Sequence, residues 1–342
     1  MHEKEVPLIQ AVGLKKYFEI RKGVFGRIRG HVRAVDGVSF SVWPGETVSV
    51  VGESGCGKTT LGRLILRLLE ATDGEVFFRG RNLREMNRGE LRNLRRRIQI
   101  VFQDPYGSLN PRMTIGSIIG EGIRIHRLAA GDAVHARVKK LLDMVGLPVS
   151  VARRYPHEFS GGQRQRISIA RALAVEPEFI VADEPVSALD VSVQAQIINL
   201  LQDVQRELGL TYLFISHDLS VVRHISDRVM VMYLGRIVEI ASRNDLYEAA
   251  LHPYTRALLS AVPSTDLNNK RSRREIHGDV PDPAMVPLGC PFHPRCSERV
   301  DACLHVVPEL IDLPKGRQVA CLLHDSKEAD VVVSSGEHAV NS

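Results

Sequence analysis

Apolar and polar positions alternate along the chain in two periods, one typical of strands and one typical of helices. Short apolar or β-branched runs, which indicate buried strands, occur at 46–51, 97–102, 179–182 and 211–215. Helical periodicity lies beside these runs, for example at 58–70 and 163–174. Two further apolar runs, 230–233 and 236–239, surround a Leu-Gly pair and predict a hairpin. We therefore predict an α/β fold with a largely parallel sheet covered by helices.

Two segments depart from this alternation. From 105 to 159 the periodicity is helical, with helices predicted at 115–125 and 133–145, and we expect a helical insertion in the α/β core. Segment 21–33 is basic and rich in glycine, which predicts a solvated loop.

The composition changes after residue 262, where proline, charged residues and cysteine become frequent. The last segment, 326–342, consists mainly of small and polar residues, which predicts a disordered tail. We predict a large α/β domain at 6–261 with a helical subdomain at about 105–162, followed by a small cysteine-rich C-terminal domain at 262–325.

The charge and the hydropathy narrow the class of protein. The formal net charge is +5 and the pI about 9.0, which fits either nucleic-acid binding or a basic protein that binds phosphates and partners. We favour the second interpretation because +5 is small for 342 residues. Apolar runs are too short for a membrane span, and residues 1–5 are charged rather than apolar as in a secretory signal. We expect a cytoplasmic chain, so any membrane-spanning function would belong to other subunits.

The strongest chemical signal is the sequence GESGCGKT at 52–59, which matches G-x-x-x-x-G-K-[ST]. It follows a predicted strand and opens a predicted helix, as this phosphate-binding motif requires. Glycine lets backbone N–H groups turn towards a phosphate, and the helix N-terminus adds a favourable dipole. Lys58 is suited to the β- and γ-phosphates of a nucleotide, and the Thr59 hydroxyl to Mg²⁺. The predicted nucleotide ligands here are Gly52, Glu53, Ser54, Gly55, Cys56, Gly57, Lys58, Thr59 and Thr60.

A second motif, FIVADE at 179–184, ends a predicted buried strand with two carboxylates. Open α/β sheets bind ligands at the carboxyl ends of their strands. Asp183 is therefore suited to hold Mg²⁺, directly or through water, and Glu184 to polarise the attacking water as a general base. A solvated acidic strand end could have the same sequence, but the upstream phosphate-binding motif favours the catalytic interpretation. Together the two motifs predict a P-loop ATPase that uses ATP and Mg²⁺.

The sequence FSGGQRQR at 159–166 narrows the family, because it resembles the signature motif of ABC ATPases. The resemblance implies a RecA-like parallel sheet with an antiparallel β subdomain and a helical subdomain. In that family the signature faces the nucleotide held by the opposite subunit, so that two chains close around two ATP molecules. It therefore implies nucleotide contacts by Ser160, Gly161, Gly162 and Gln163.

Other residues match the same family pattern in order. Gln103 resembles the Q-loop glutamine that senses Mg²⁺ and the attacking water, and His217 resembles the switch histidine that contacts the γ-phosphate. Sequence 187–190 resembles the D-loop at the dimer interface, with Asp190 as its acidic residue. Phe18, or its neighbour Tyr17, resembles the aromatic residue that stacks on adenine. The implied catalytic residues are Glu184, His217 and Gln103, and the implied Mg²⁺ ligands are Thr59, Gln103 and Asp183.

Three longer segments, 103–111, 155–162 and 252–258, resemble the peptide and nickel importer group of this family. The sequence at 32–39, after the basic segment, is most similar to the second ATPase subunit of dipeptide importers. The resemblance implies a subunit that hydrolyses ATP at the cytoplasmic face of the inner or plasma membrane and energises dipeptide or oligopeptide import. Nickel chelates, glutathione or another small solute remain alternative cargoes. The implied partners are a second, non-identical ATPase chain (a homodimer comes second), two permease subunits and an extracytoplasmic peptide-binding protein.

Four cysteines, Cys290, Cys296, Cys303 and Cys321, lie in the last sixth of the chain. In a reducing cytoplasm such a group favours metal binding over disulfides. The sequence GCPFHPRC at 289–296 resembles the C-terminal module of peptide-importer ATPases, which holds a [4Fe–4S] cluster in several members. Four thiolates suit that cluster or tetrahedral zinc, and the paired C-x₂-C knuckles of zinc ribbons are absent. We favour iron–sulfur, with zinc and unligated thiols as alternatives.

A different functional class also uses ABC-type ATPases, namely proteins of DNA repair, chromosome organisation and translation. The basic charge is compatible with that class. Its members usually carry a long coiled coil, a zinc insertion or a fused second ATPase, and the sequence indicates none of these. We therefore predict no nucleic-acid partner.

Overall fold

The computed structural model describes residues 6–22, 27–261 and 278–325, so the predicted tail at 326–342 lies outside the described residues. The strands are β1 (Ile9–Lys22), β2 (Arg27–Val42), β3 (Thr47–Val51), β4 (Asp73–Phe78), β5 (Arg81–Asn82), β6 (Ile98–Val101), β7 (Phe179–Asp183), β8 (Thr211–Ile215), β9 (Arg228–Tyr233), β10 (Arg236–Ser242), β11 (Ile311–Leu313) and β12 (Arg317–Val319). The helices are α1 (Lys58–Ile65), α2 (Arg88–Arg97), α3 (Pro105–Ser108), α4 (Ile115–Ile125), α5 (Asp132–Met144), α6 (Gly161–Leu173), α7 (Val191–Leu208), α8 (Leu219–Ile225), α9 (Arg243–Ala249) and α10 (Pro253–Ser260).

In the described part of the chain, the strands form a four-stranded and an eight-stranded sheet. The larger sheet has the order β11-β12-β10-β9-β3-β8-β7-β6, and its neighbours from β9 to β6 are parallel. Every residue of β3, β7 and β8 is buried, which explains why their sequences are mostly apolar or β-branched. Parallel strands place their carboxyl ends at one edge, so residues that follow these strands meet there.

The smaller sheet is antiparallel, with the order β2-β1-β4-β5. Its first two strands form a long hairpin in which Tyr17 pairs with Arg33 and Lys22 pairs with Arg27. The prediction of a solvated loop at 21–33 is therefore wrong, except for residues 23–26, which lie outside the described residues. Side chains from 29 to 33 alternate between exposed and half-buried, and this strand period was hidden by the basic composition.

Helices occupy the segment between the two motif-bearing strands β6 and β7. Regular structure from 105 to 160 consists of α3, α4, α5 and 3₁₀ turns at Val149–Arg153 and Pro156–Glu158. Buried side chains of α4 and α5, such as Ile119, Ile123 and Leu142, share one apolar core with α6. The predicted helical insertion is confirmed, and its helices at 115–125 and 133–145 agree with α4 and α5 to within one residue at each end.

Residues 278–325, which we call the C-terminal module, extend the larger sheet. Strand β12 pairs antiparallel with β10, and β11 pairs with β12. Phe292 and Leu322 belong to the same buried apolar cluster as Tyr233 and Tyr254 of the α/β core. The short strands of the module were not indicated by the sequence, because runs of three residues carry little periodicity. In the described residues, the helices are too short or too polar to cross a membrane.

Candidate functional site

The phosphate loop, residues 52–59, joins β3 to α1 at the carboxyl edge of the larger sheet. Gly52 and Gly57 have φ angles of 155° and 108°. A Cβ atom on Gly52 would lie 2.1 Å from the Met232 carbonyl oxygen, and one on Gly57 would lie 2.0 Å from the Ala34 carbonyl oxygen. Only glycine fits at these two positions, because the loop packs directly against backbone on both sides.

Lys58 is almost fully buried, and its ammonium group is held by the loop itself. Nζ donates to the carbonyl oxygens of Gly52 at 2.8 Å and Glu53 at 3.0 Å. These two carbonyls hold the ammonium group at the loop, and a bound phosphate would replace them as its partner. The Cys56 thiol lies 3.9 Å from Nζ, and burial raises the pKa of Cys56. Cys56 is therefore a packing residue of the loop rather than a nucleophile.

Two of the three predicted Mg²⁺ ligands, Thr59 and Asp183, lie side by side, whereas the side chain of the third, Gln103, donates to Glu184. Thr59 Oγ1 donates a hydrogen bond of 2.9 Å to Asp183 Oδ1. Asp183 ends strand β7 and is 4% exposed. Burial raises the pKa of Asp183, and repulsion from Glu184 adds to that effect against the hydrogen bond from Thr59. Hydroxyl and carboxylate oxygens are hard donors that suit Mg²⁺, so the residues fit the ion.

Glu184 is the point at which the predicted catalytic residues converge. Its Oε2 accepts a 3.0 Å hydrogen bond from Gln103 Nε2 and lies 3.2 Å from Nδ1 of His217. The backbone of Glu184 has a φ of 46°, which is rare for a residue with a side chain, and its N–H donates to the Ile215 carbonyl. Strained backbone of this kind is concentrated at functional sites. The structure thus brings Gln103, Glu184 and His217 together from three separate strand ends.

Three of the four signature residues, Ser160, Gly161 and Gln163, are exposed. Ser160 caps α6, where its Oγ accepts from the Gln163 N–H and Gln163 Oε1 accepts from the Ser160 N–H. A Cβ atom on Gly162 would lie 2.4 Å from a methyl group of Val193, so the signature packs against the start of α7. Asp190 caps α7 by accepting from the Val193 N–H, and this hydrogen bond lowers the pKa of Asp190. The signature and the D-loop therefore meet at Val193, near the start of α7.

Two family models match this chain. The ABC transporter model matches residues 35–187, and the oligopeptide/dipeptide transporter C-terminal region matches residues 238–303. The oligopeptide transport ATP-binding protein AppF of Bacillus subtilis is 53% identical over 320 residues, 93% of this chain and 97% of AppF. The dipeptide transport ATP-binding protein DppF of Haemophilus influenzae is 50% identical, with the same shares covered.

The chain belongs to the ATP-binding proteins of ABC transporters. Solved structures of ABC ATP-binding proteins have folds similar to that of this chain. The cbiO1 protein of Clostridium perfringens, part of the ABC transporter complex cbiONQ, superposes with a TM-score of 0.62 at 26% identity, covering 72% of this chain and 92% of cbiO1. The ATP-binding cassette MJ0796, a dimer bound to ADP and Pi, gives 0.61 at 30% identity, covering 69% of this chain and 98% of MJ0796. The predicted family and the predicted α/β fold of an ABC ATPase are confirmed.

The two adenine-stacking candidates of this ABC ATP-binding protein differ in their surroundings. Tyr17 donates a 2.5 Å hydrogen bond to Asp36, and burial together with that bond raises the pKa of Tyr17 to about 12. Phe18 is 41% exposed, and the Lys16 ammonium lies over its ring at 5.3 Å. An open aromatic face is needed for stacking on a base, so the geometry favours Phe18 over Tyr17.

The four cysteines of the C-terminal module are free thiols, and Cys290 lies close enough to the other three to interact with them electrostatically. Cys290 donates its backbone N–H to the Cys303 carbonyl at 2.9 Å. Burial, with repulsion from the other thiols, raises the pKa of Cys290 to about 12 and that of Cys321 to about 11. Cys296 is half-buried. In the described residues, no group of three or more His, Cys, Asp or Glu side chains is arranged to hold a metal ion.

One contact of the phosphate loop was missed by sequence reasoning. Arg295 of the C-terminal module donates from Nη1 and Nη2 to the two carboxylate oxygens of Glu53, at 2.8 and 3.0 Å. The Glu53 carboxylate raises the pKa of the Arg295 guanidinium above its ordinary value. The available signal was a charged residue between two of the clustered cysteines, Cys290 and Cys296, but nothing in the sequence identified its partner.

Proposed function

We propose that this chain binds and hydrolyses Mg-ATP and so energises a membrane importer for dipeptides or oligopeptides. The observation that carries the catalytic part is the convergence of Gln103 and His217 on one carboxylate oxygen of Glu184. That oxygen lies at the same sheet edge as the phosphate loop, next in sequence to Asp183. Such a carboxylate, oriented by two neighbours, fits a general base for water.

The hydrolysis step assigns a role to each residue. Lys58 would bind the β- and γ-phosphates after releasing the loop carbonyls. Glu184 Oε2 would accept a proton from the water that attacks the γ-phosphorus, while the bond to the β-phosphate oxygen breaks and ADP leaves. Gln103 would position that water, and His217 would contact the γ-phosphate. Mg²⁺, held by Thr59 and Asp183 with Gln103 nearby, would neutralise charge on the phosphates.

The proposal that two chains share each nucleotide is supported by the exposed signature surface. Ser160, Gly161 and Gln163 are exposed, so a partner chain can reach the start of α6. The cassette MJ0796 is dimeric. We infer a second, non-identical ATPase chain as partner, with a homodimer as the alternative, at the cytoplasmic face of the membrane. Two permease subunits and an extracytoplasmic binding protein would complete the importer.

The cargo proposal depends on the relatives, which are named as oligopeptide and dipeptide transport proteins. A deletion strain tests it. We expect loss of growth on an essential amino acid supplied only as a dipeptide, with restoration by the wild-type gene but not by the Lys58→Ala variant. Normal peptide uptake combined with loss of nickel or glutathione uptake would reject a peptide cargo.

For the cysteines we propose a [4Fe–4S] cluster, with Zn²⁺ as the alternative. The donor chemistry fits, because four free thiols occupy one module. Their arrangement does not form a metal-holding group among the described residues, so the proposal depends on donor type alone. Protein purified without oxygen should absorb visible light and contain about four irons per chain. Colourless protein with stoichiometric zinc would reject the cluster.

A further inference from the structure

The C-terminal module contacts the phosphate loop directly. Arg295 lies in the 3₁₀ turn His293–Arg295 between Cys290 and Cys296. Its guanidinium forms a two-point ion pair with the Glu53 carboxylate, the second residue of the loop. Two parallel N–H···O bonds fix the orientation of both groups, which a single contact does not.

This ion pair is largely shielded from water. The Arg295 side chain is 7% exposed and that of Glu53 is 23% exposed. Tyr233 and Phe292 pack edge to face with ring centroids 5.3 Å apart, and the Tyr233 hydroxyl lies 3.4 Å from Arg295 Nη1. Charges that are removed from water interact more strongly and are screened less by salt than exposed charges.

Glu53 is also held through its backbone. Its N–H donates to the Tyr254 hydroxyl at 2.9 Å, and its carbonyl oxygen accepts from Lys58 Nζ. The side chain, the N–H and the carbonyl of Glu53 therefore all have partners, and two of these partners come from outside the loop. Without Arg295, an unpaired carboxylate would remain in the loop that binds the negatively charged phosphates.

We propose that Arg295 is a positioning residue for nucleotide binding, which neutralises the Glu53 carboxylate and holds it against the C-terminal module. The proposal rests on the proposed nucleotide site. Arg295 would not touch the nucleotide itself. It acts through Glu53, so its effect on affinity is electrostatic and depends on the charge of residue 53.

The test is a double-mutant cycle on Mg-ATP affinity, measured by calorimetry on the full-length chain. The Arg295→Gln variant should bind Mg-ATP roughly tenfold more weakly at low salt, because the free carboxylate repels the phosphates. Raising the salt concentration should shrink this deficit, since the Glu53 side chain is 23% exposed and its carboxylate, once Arg295 is removed, can be screened by salt. The Glu53→Gln, Arg295→Gln double variant should recover several-fold of the lost affinity, and the Glu53→Gln single variant completes the cycle.

A matched control removes another ion pair between the module and the core. Arg256 of α10 forms an ion pair with Glu298 of the module at 2.7 Å, and neither residue is a predicted nucleotide ligand. The Glu298→Gln variant should bind Mg-ATP within about twofold of the wild type. An Arg295→Lys variant keeps the charge but loses the two-point geometry, so its affinity should fall between those of the wild type and Arg295→Gln.

The outcomes separate this inference from the proposed function. If the wild type fails to bind Mg-ATP, the proposed function is rejected. If the wild type binds and the Arg295→Gln variant binds equally well, the positioning role is wrong. A double variant as weak as Arg295→Gln, or an equal loss in Glu298→Gln, would mean that the module acts only through packing. If the Arg295→Gln variant does not fold, the Arg295→Lys variant tests the positioning role instead. A lower Mg-ATP affinity than that of the wild type, with a deficit that shrinks at high salt, supports the role, and an equal affinity contradicts it.

Discussion

Gln103 Nε2 donates a 3.0 Å hydrogen bond to Glu184 Oε2, although 81 positions separate the two residues in sequence. The same oxygen lies 3.2 Å from His217 Nδ1. Gln103 and His217, which follow two different strands of the sheet, thus both approach the same oxygen of Glu184, which follows a third strand. This arrangement links the water-positioning, proton-accepting and phosphate-sensing roles that we propose, so changes at Glu184 should have the largest effect on turnover.

The Glu184→Gln variant should bind Mg-ATP normally and lose about 100- to 1000-fold in the rate of hydrolysis. The carboxamide keeps the size of the side chain but cannot accept the proton. Steady-state phosphate release and nucleotide affinity, measured on the chain mixed with its partner ATPase, check this. A His224→Ala variant is a suitable control because that histidine is exposed on α8. Hydrolysis at the wild-type rate in Glu184→Gln would exclude Glu184 as the base.

Alanine substitutions at Gly55 and Gly57 distinguish the cost of backbone strain from the cost of a steric clash. Both have positive φ angles, but a Cβ atom at Gly55 meets open space whereas one at Gly57 meets the Ala34 carbonyl. Gly55→Ala should cost about 1–2 kcal/mol of unfolding free energy from backbone strain alone. Gly57→Ala should cost more than about 3 kcal/mol, because the loop or β2 must move. Urea unfolding of both variants measures the difference, and equal losses would contradict the steric argument.

Phe18 and Tyr17 are distinguished by a pair of substitutions. Phe18→Ala should weaken Mg-ATP binding about tenfold if its exposed ring stacks on adenine. Tyr17→Phe keeps a ring but loses the hydrogen bond to Asp36, so it should affect stability more than affinity. Calorimetric titration with ATP and with triphosphate alone shows whether a loss depends on the base. Weaker ATP binding in Tyr17→Phe only would reverse the assignment.

The buried side chain of His252 should make the unfolding free energy of the chain depend on pH. Burial, with additional repulsion from Arg256 and His324, lowers the pKa of His252 from 6.5 to about 3 in the folded chain. As the pH falls below 6.5, the unfolded chain binds a proton that the folded chain does not bind. The unfolding free energy should therefore fall by about 1.4 kcal/mol per pH unit between pH 6.5 and 4 from this group.

The control for this prediction is His252→Asn. His252 Nδ1 accepts from the Tyr254 N–H and caps α10, and asparagine is a good N-cap that does not titrate. Chemical unfolding at a series of pH values should give a flatter acid slope for the variant than for the wild type. Parallel slopes would mean that His252 does not cause the loss.

The amino-acid sequence by itself determined the phosphate loop, the acidic strand end and the alternation of buried strands with helices. Each of these is local, because backbone geometry and burial depend on residues within a few positions of one another. Gly52 to Thr59 could be recognised without knowledge of the rest of the chain, and the helical insertion was visible from its period. The family resemblance then identified Gln103 and His217.

Only the tertiary structure decided which distant residues meet. It turned the basic segment at 29–33 into a strand, because pairing with β1 satisfies the backbone while exposed side chains stay in water. It joined β12 to β10, and it placed Arg295 on Glu53, 242 positions away. Such contacts depend on how complete elements pack together, and no local pattern of residues records that packing.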